Sequence, residues 1–166
     1  RETGLSLVHN PEFLTAKTAY EDFHDQRHIV IGDTPTTRPG HVQALRDFYA
    51  KYYPEARFTI CSSVESESIK IGCNVFYSVK IMYFNEIYLL CQKNGADYEV
   101  VRKGMLGNNW IHEMHTKVPG TDGQLGYGGM CFPKDTNALL SHMQLVGSPH
   151  AVLEATVEER NTLRSD

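Results

Sequence analysis

The sequence predicts an α+β fold that is mainly helical, in which a long central helix follows a few strands. Short apolar runs that end at turn residues are confined to the first part of the chain. From residue 65 to about residue 93 there is no proline and only Gly72 interrupts, which is typical of one long helix. The 166 residues, of which 41% are hydrophobic, are enough to bury a true core.

Strands and two helices are predicted ahead of the long helix. Apolar runs predict strands over residues 5–8, 28–32 and 57–61. A short helix is expected over residues 15–23, after a turn marked by asparagine and proline. An amphipathic helix is expected over residues 41–53, because apolar residues recur there at three- and four-residue spacings.

The predicted helix over residues 65–93 is apolar around most of its circumference rather than along one stripe. A helix that is apolar on all sides must be covered on all sides, and a domain of this size can hardly do so alone. We therefore predict that a second copy of the chain packs against this helix through a two-fold interface.

After the long helix, the sequence predicts three more helices and one long polar loop. The helices are expected over residues 97–106, 135–146 and 150–163, and Pro133 fits the first turn of the middle one. The loop over residues 107–125 has a length at which loops are more often functional than idle.

Composition argues against two classes of partner. The formal charge of −4 and the pI near 6.1 give no basic field for nucleic acid. No apolar run approaches the roughly 18 to 20 residues that span a bilayer, and no leader segment is recognisable, so no membrane partner is predicted. Four scattered cysteines without a C-x-x-C pair predict a reducing, cytoplasmic location.

Three glycines within four residues, Gly126, Gly128 and Gly129, lead directly to Cys131. Glycine permits a positive φ and a close approach of the backbone to a ligand. A helix that starts soon afterwards would place Cys131 near its N-terminus, where free N–H groups and the helix dipole favour a thiolate. The alternative interpretation is a glycine-rich turn that carries a buried structural cysteine.

Four other polar residues are candidates for acid–base catalysis or oxyanion stabilisation. Lys70 and Asn74 share one helix face, where a partly buried lysine stabilises an oxyanion. Glu12 has apolar neighbours, which favour a raised pKa and a role as general base. Asp135 follows Cys131 by four residues and could orient Lys70 or a water. The alternatives are a solvated lysine with a polar neighbour and an ordinary acid at a helix start.

Two other kinds of site receive little support. His112 and His115 have the spacing of a metal-binding pair, but no third ligand follows at a familiar spacing, so no metal is predicted. Residues 126–129 do not follow a strand with an acidic residue about 20 positions later, so they are not a dinucleotide-binding turn.

Four blocks of the sequence, in order, resemble the nucleotide-sugar dehydrogenases of the UDP-glucose/GDP-mannose dehydrogenase family. They are residues 10–14 (NPEFL), residues 22–32 (ending IVIG), residues 70–86 (Lys-x-x-x-Asn, later YFNE) and residues 126–135 (GYGGMCFPKD). The last block is very specific, and the resemblance extends over nearly the whole chain.

The resemblance implies oxidation of a sugar C6 alcohol to a carboxylate with two NAD⁺. Cys131 would attack the C6 aldehyde to form a thiohemiacetal, hydride loss would give a thioester, and water would release the acid. Lys70 would stabilise the oxyanion, Asn74 and Asp135 would orient Lys70 and the water, and Glu12 would be the base.

The resemblance also implies binding residues. Cys131 and Lys134 would contact NAD, whose site would otherwise lie outside this chain. The nucleotide-sugar substrate would be held by backbone and loop positions, namely Phe13, Leu14, Thr15, Leu125, Tyr127 and Gly128.

The sequence departs from the family pattern at two places. Ala16 stands where the family has a second glutamate that positions water. The substrate-contacting arginine that precedes the glycine-rich loop has no clear counterpart, and His115 or Lys117 are the residues that could replace it.

We predict that residues 1–63 are the end of an NAD-binding α/β domain and residues 64–166 a helical central dimerisation and catalytic domain. The chain would form a homodimer through helix 65–93, would depend on separate NAD- and nucleotide-binding domains, and would be inactive in isolation. One alternative is a non-catalytic dimerisation module derived from the same family. Another is a cysteine hydrolase that uses Cys131 with His112 or His115.

Overall fold

The computed structural model describes residues 5–165, which contain three strands and six helices. In chain order they are β1 Val8–His9, α1 Ala19–His24, β2 His28–Asp33, α2 His41–Tyr52, β3 Arg57–Ser62, α3 Ser63–Asn94, α4 Tyr98–Leu106, α5 Cys131–Leu145 and α6 Ala151–Leu163. The prediction of a mainly helical α+β fold with a long central helix is confirmed. Residues 1–4 and 166, which the two predicted segments include, lie outside the described residues.

The chain divides into two compact units, one up to Gly72 and one from Cys73 onward. The dividing point falls inside α3. Each unit is described separately below.

The first unit contains a three-stranded sheet in the order β1-β2-β3. β1 is antiparallel to β2, and β2 is parallel to β3, to which α2 connects it. The apolar run Ile29, Val30 and Ile31 is fully buried in β2, as expected for a central strand covered on both faces.

Two elements of the first unit are shorter than predicted, because side chains bond to the backbone there. The strand expected over residues 5–8 is reduced to β1, and the carbonyl of Leu7 accepts the hydroxyls of Thr34 and Thr37 instead of joining the sheet. The helix expected over residues 15–23 begins only at Ala19. There the Asp22 carboxylate accepts the N–H of Thr15 at 2.8 Å, which makes a turn and lowers the pKa of Asp22.

α3 begins two residues earlier than predicted because a capping box fixes its start. The Ser62 N–H and hydroxyl donate to the Glu65 carboxylate at 2.7 and 2.8 Å, and the Glu65 N–H donates to the Ser62 hydroxyl at 3.3 Å. The hydrogen bond from the Ser62 N–H is the main reason why the pKa of Glu65 is lowered.

In the second unit, a small apolar core joins α4 and the loop after it to α3, and buried polar contacts join α4 to that loop. The Tyr98 hydroxyl donates to the Thr116 carbonyl at 2.6 Å, and burial raises the pKa of Tyr98 to about 12. Arg102 bonds the Thr116 hydroxyl at 3.2 Å and pairs with Glu99 at 2.8 Å. The buried core residues are Phe84, Cys91, Tyr98 and Val118.

Within residues 5–165, no helix combines the length and the apolar character needed to cross a membrane.

Candidate active site

Cys131 is the first residue of α5 and is exposed. The helix predicted from residue 135 therefore starts four residues earlier, and Pro133 lies in its first turn. Proline is tolerated there because its missing N–H would have no partner within the helix. Thr136 is fully buried, and its hydroxyl donates to the Phe132 carbonyl at 2.8 Å, which holds this first turn together.

The glycines before Cys131 serve two different purposes. Gly126 and Gly129 have φ of 71° and 79°, so the predicted positive φ is found at these two positions. The φ of Gly128 lies outside the positive range. A Cβ at Gly128 would lie 2.2 Å from Nη2 of Arg164, so a side chain there would require the guanidinium to move.

Residues that the sequence analysis did not identify hold this loop. The Arg160 Nε donates to the Tyr127 carbonyl at 3.1 Å, and Asn85 Oδ1 accepts the Gly126 N–H at 2.9 Å. Arg164 pairs with Asp122 at 3.0 Å. Arg160 lies in the last turn of α6 and Arg164 directly follows that helix, so the only sequence signal was two nearby arginines at the end of a predicted helix.

Asn74 and Asp135, which lie 61 positions apart in the sequence, meet in the second unit. The Asn74 Nδ2 donates to Asp135 Oδ2 at 2.6 Å, and both side chains are buried. The Lys134 ammonium donates to the other carboxylate oxygen of Asp135. This hydrogen bond is the main reason why the pKa of Lys134 is raised, and the nearby Cys131 adds to the shift. The Asp135 carboxylate is therefore held in one orientation at the first turn of α5.

Lys70 and Glu12 form an ion pair in the first unit. The Lys70 Nζ lies 3.1 Å from Glu12 Oε1, and the Lys70 side chain is 22% exposed and the Glu12 side chain 58% exposed. The Lys70 ammonium also lies 5.4 Å from the centre of the Phe13 ring. The Glu12 carboxylate turns towards Lys70 and the Leu14 N–H, which donates to it at 2.6 Å, rather than towards its apolar sequence neighbours.

The remaining predicted substrate residues are largely engaged within the chain. The N–H of Thr15 donates to Asp22, as described above. The Leu125 side chain packs against the apolar core. The Tyr127 side chain is buried, and its hydroxyl donates to Thr136 Oγ1 at 3.2 Å. For Leu125 and Tyr127, contact with a ligand would therefore use the backbone.

His115 has two unusual features. Its φ is 67°, which is rare for a residue other than glycine. Its Nδ1 is buried without a hydrogen-bond partner among the described residues, and its ring lies between Tyr77 at 4.8 Å and Phe132 at 5.6 Å. Burial, followed by the charges of Lys80 and His112, lowers the pKa of His115.

The lowered pKa of His115 predicts a loss of stability in mild acid. The folded state binds a proton at His115 less readily than the unfolded chain does. The contribution of neutral His115 to the free energy of unfolding is therefore complete above the ordinary histidine pKa of about 6.5 and declines as the pH falls below it. The variant His115→Asn cannot titrate in this range, and asparagine tolerates a positive φ. Urea midpoints at pH 7.5 and pH 5.5 should therefore differ less in His115→Asn than in the unmodified chain.

The matched control is His142→Asn, which changes an exposed histidine on α5. This variant should keep the full pH dependence. If the urea midpoints at pH 7.5 and pH 5.5 differ as much in His115→Asn as in the unmodified chain, the assignment to His115 is wrong.

Across the described part of the chain, His, Cys, Asp and Glu side chains do not gather in groups of three that could hold a metal ion. His112 and His115 accordingly do not belong to such a group.

The architecture of this chain is found in a known class of enzymes. Solved structures that share it include dehydrogenases of nucleotide sugars. One is a UDP-glucose dehydrogenase from the hyperthermophilic archaeon Pyrobaculum islandicum, which is 30% identical with a TM-score of 0.79, over 95% of this chain and 34% of that one. The chain belongs to the UDP-glucose/GDP-mannose dehydrogenase family, because residues 64–162 match the central domain of that family. The resemblance inferred from the four sequence blocks is thereby confirmed.

Two curated relatives carry the name UDP-glucose 6-dehydrogenase. The protein of Pseudomonas aeruginosa is 34% identical over 163 residues, which cover 98% of this chain and 34% of that protein. A protein of Bacillus subtilis is 36% identical over 161 residues, which cover 95% of this chain and 34% of that protein. The chain thus spans about a third of the length of these relatives.

Proposed function

We propose that this chain carries the catalytic residues of an NAD-dependent nucleotide-sugar 6-dehydrogenase of the UDP-glucose type. Such an enzyme oxidises the sugar C6 alcohol to a carboxylate in two steps. The observation that carries the proposal is the exposed Cys131 on the first turn of α5, beside the Lys134–Asp135 pair, in a chain whose relatives are named UDP-glucose 6-dehydrogenases.

The chemistry begins with the Cys131 thiolate and the C6 aldehyde. The sulfur forms a bond to C6, the carbonyl π electrons move to oxygen, and this oxygen takes up a proton to give a thiohemiacetal. Loss of a hydride from C6 and of the hydroxyl proton then gives the thioester, and water adds to the same carbon. The carbon–sulfur bond then breaks, which releases the carboxylate and restores the thiolate.

Four other residues have supporting roles in the proposal. The half-buried Lys70 ammonium stabilises the developing oxyanion, and Glu12 accepts a proton as general base. Asp135 orients the attacking water, and Asn74 keeps the Asp135 carboxylate in place through its 2.6 Å hydrogen bond. A buried carboxylate with a fixed orientation suits this task, because a water bound to it has few alternative positions.

We assign the reactive end of NAD, which would accept a hydride in each oxidation when bound, to the first turn of α5. Cys131 and Lys134 are both exposed there, and Lys134 keeps two of its three N–H donors beyond its bond to Asp135. The 166 residues contain no dinucleotide-binding glycine fingerprint. We therefore propose that residues 1–63 are the end of an NAD-binding domain and that most of NAD binds outside this chain, which alone would not turn over.

Protection of Cys131 from alkylation tests the proposed function. The chain is treated with iodoacetamide in the presence of UDP-glucose or of its C6-aldehyde analogue, and labelling of each cysteine is measured by peptide mass spectrometry. The aldehyde should protect Cys131 by forming the thiohemiacetal, whereas the alcohol should not. Labelling of Cys61, which is half-buried on β3, serves as the internal control. Equal labelling of Cys131 with both sugars would overturn the proposal.

The proposed assembly is a homodimer formed through helix 65–93. On α3, Phe76, Tyr83 and Leu90 are 62%, 49% and 52% exposed and are spaced by seven residues, which places them on one face. An apolar stripe with this spacing suits a second helix with the same sequence, and a two-fold axis would place each stripe against its copy.

Tyr83→Glu should convert the dimer to a monomer, because it would place a carboxylate in the centre of the stripe. The control Gln92→Glu adds the same charge at another exposed position of α3 and should leave the dimer intact. Light scattering after size-exclusion chromatography measures the mass. A dimer in both variants would contradict this interface. Dimer loss together with a failure of the aldehyde to protect Cys131 would favour the non-catalytic dimerisation module.

A further inference from the structure

Two arginines at the C-terminal end of α6 contact the glycine-rich loop: Arg160 lies in the last turn of the helix, and Arg164 is the first residue after it. The Arg160 Nε bonds the Tyr127 carbonyl, and its guanidinium carbon lies 5.7 Å from the centre of the Tyr127 ring. The Arg164 guanidinium occupies the space that a side chain at residue 128 would fill. Two consecutive residues of the loop, Tyr127 and Gly128, are therefore held by the last turn of α6 and by the residue that follows it.

A counter-charge at Asp122 holds the Arg164 guanidinium in this place. The side chain of Arg164 is only 3% exposed, whereas that of Asp122 is 43% exposed. A buried guanidinium is stable when it is paired and hydrogen-bonded. The Asp122 carboxylate also accepts the Gln124 N–H at 3.1 Å, and this bond, followed by Arg164, lowers the pKa of Asp122. The acid that anchors Arg164 is thus itself fixed in the turn before the loop.

The loop transmits this restraint to α5. The Tyr127 hydroxyl bonds the buried Thr136, which lies on α5 little more than one turn beyond Cys131. Gly128 is three residues from Cys131, and it is packed against Arg164.

We infer that the ion pair between Arg164 and Asp122 is a positioning device for Cys131. This inference rests on the proposed function, since it assigns the pair a role in aiming the thiolate at the C6 aldehyde. Neither residue contacts the reacting atoms; both act through Gly128. Lysine at 164 would keep the charge but lacks the planar guanidinium that fits beneath Gly128.

The test compares three variants that disturb the same contact from different sides. Gly128→Ala places a methyl group where the guanidinium lies, Arg164→Lys removes the planar group, and Asp122→Asn removes the counter-charge. Gly104→Ala is the matched control, because Gly104 lies on α4 with nothing within 4 Å of its would-be Cβ. Circular dichroism identifies the variants that fold. Asp122→Asn changes a partly exposed side chain and is therefore the variant most certain to fold.

For each folded variant, two quantities are measured. They are the fraction of Cys131 that the C6-aldehyde analogue protects at a fixed concentration and the pH profile of Cys131 alkylation. We expect each of the three variants to need about tenfold more aldehyde for equal protection, a typical scale for misplaced reacting groups, and to show a shifted alkylation profile. A merely structural pair would lower the unfolding midpoint and leave both quantities unchanged in the folded protein.

A double variant provides the second criterion. In the background of Arg164→Ala the space beneath Gly128 is empty, so adding Gly128→Ala should cause little further loss. Protection equal to that of Gly104→Ala in all folded variants would overturn the positioning role. A failure of the aldehyde to protect even the unmodified chain would instead overturn the proposed function, so the two failures are distinguishable.

Discussion

Cys131→Ser should abolish the covalent adduct between this chain and a nucleotide sugar that carries an aldehyde at C6. A thiol has a pKa near 8.5 and is a strong nucleophile, whereas a serine hydroxyl without a partnering base remains protonated and reacts weakly. The substitution replaces one atom on an exposed side chain, so the fold should be retained.

Carbon-13 NMR with the label at C6 of the aldehyde detects the adduct directly, because the thiohemiacetal carbon differs in chemical shift from the free aldehyde and its hydrate. The signal should be present in the unmodified chain and absent in Cys131→Ser. The control Cys61→Ser removes a thiol from β3 and should keep the signal. A thiohemiacetal signal that survives in Cys131→Ser would assign the chemistry to another group.

Gly32→Ala should cause the largest loss of stability among the single glycine substitutions. A Cβ at Gly32 would lie 2.7 Å from the Cβ of Ser66 and 3.0 Å from the Cα of Ser63, which is backbone of the first turn of α3. Ser66 cannot move aside easily, because it is fully buried and bonded to the His9 ring at 2.8 Å. Overpacking at such a site costs about 3 kcal/mol.

Urea unfolding, followed by circular dichroism, measures this effect. The control Gly72→Ala lies on α3 with nothing within 4 Å of its would-be Cβ and should gain about 1 kcal/mol from the better helix propensity of alanine. The two substitutions add the same methyl group, so they separate steric conflict from propensity. Similar midpoints for Gly32→Ala and Gly72→Ala would show that β2 does not pass as close to α3 as described.

The elements governed by apolar periodicity could be predicted from the sequence. α2 ends one residue before the predicted bound, and α3 extends the predicted helix by two residues at its start and one at its end. The errors fall at β1 and α1, where the carboxylate of Asp22 and the hydroxyls of Thr34 and Thr37 bond the backbone in place of strand or helix partners. Such local competition depends on individual side chains and leaves no periodic pattern.

The candidate site could be predicted only in part. The family resemblance identified Asn74 and Asp135, which the structure brings into contact. It did not identify Asp122 and Arg164, because their partnership spans 42 positions and both residues lie outside helices, where no periodic pattern marks a buried side chain. The exposure of Glu12 was missed because its apolar sequence neighbours do not determine which way its own side chain turns.

The ion pair between Lys70 and Glu12 bears on the order of events in the proposed reaction. The proposed oxyanion stabiliser and the proposed base are bonded to each other at 3.1 Å, so the pair has to separate before Glu12 Oε1 can accept a proton from a substrate. Because Glu12 is more than half exposed, separating such a pair costs at most about 1 kcal/mol. In the resting protein the two side chains are thus paired with each other, and an arriving sugar needs to supply little binding energy to separate them.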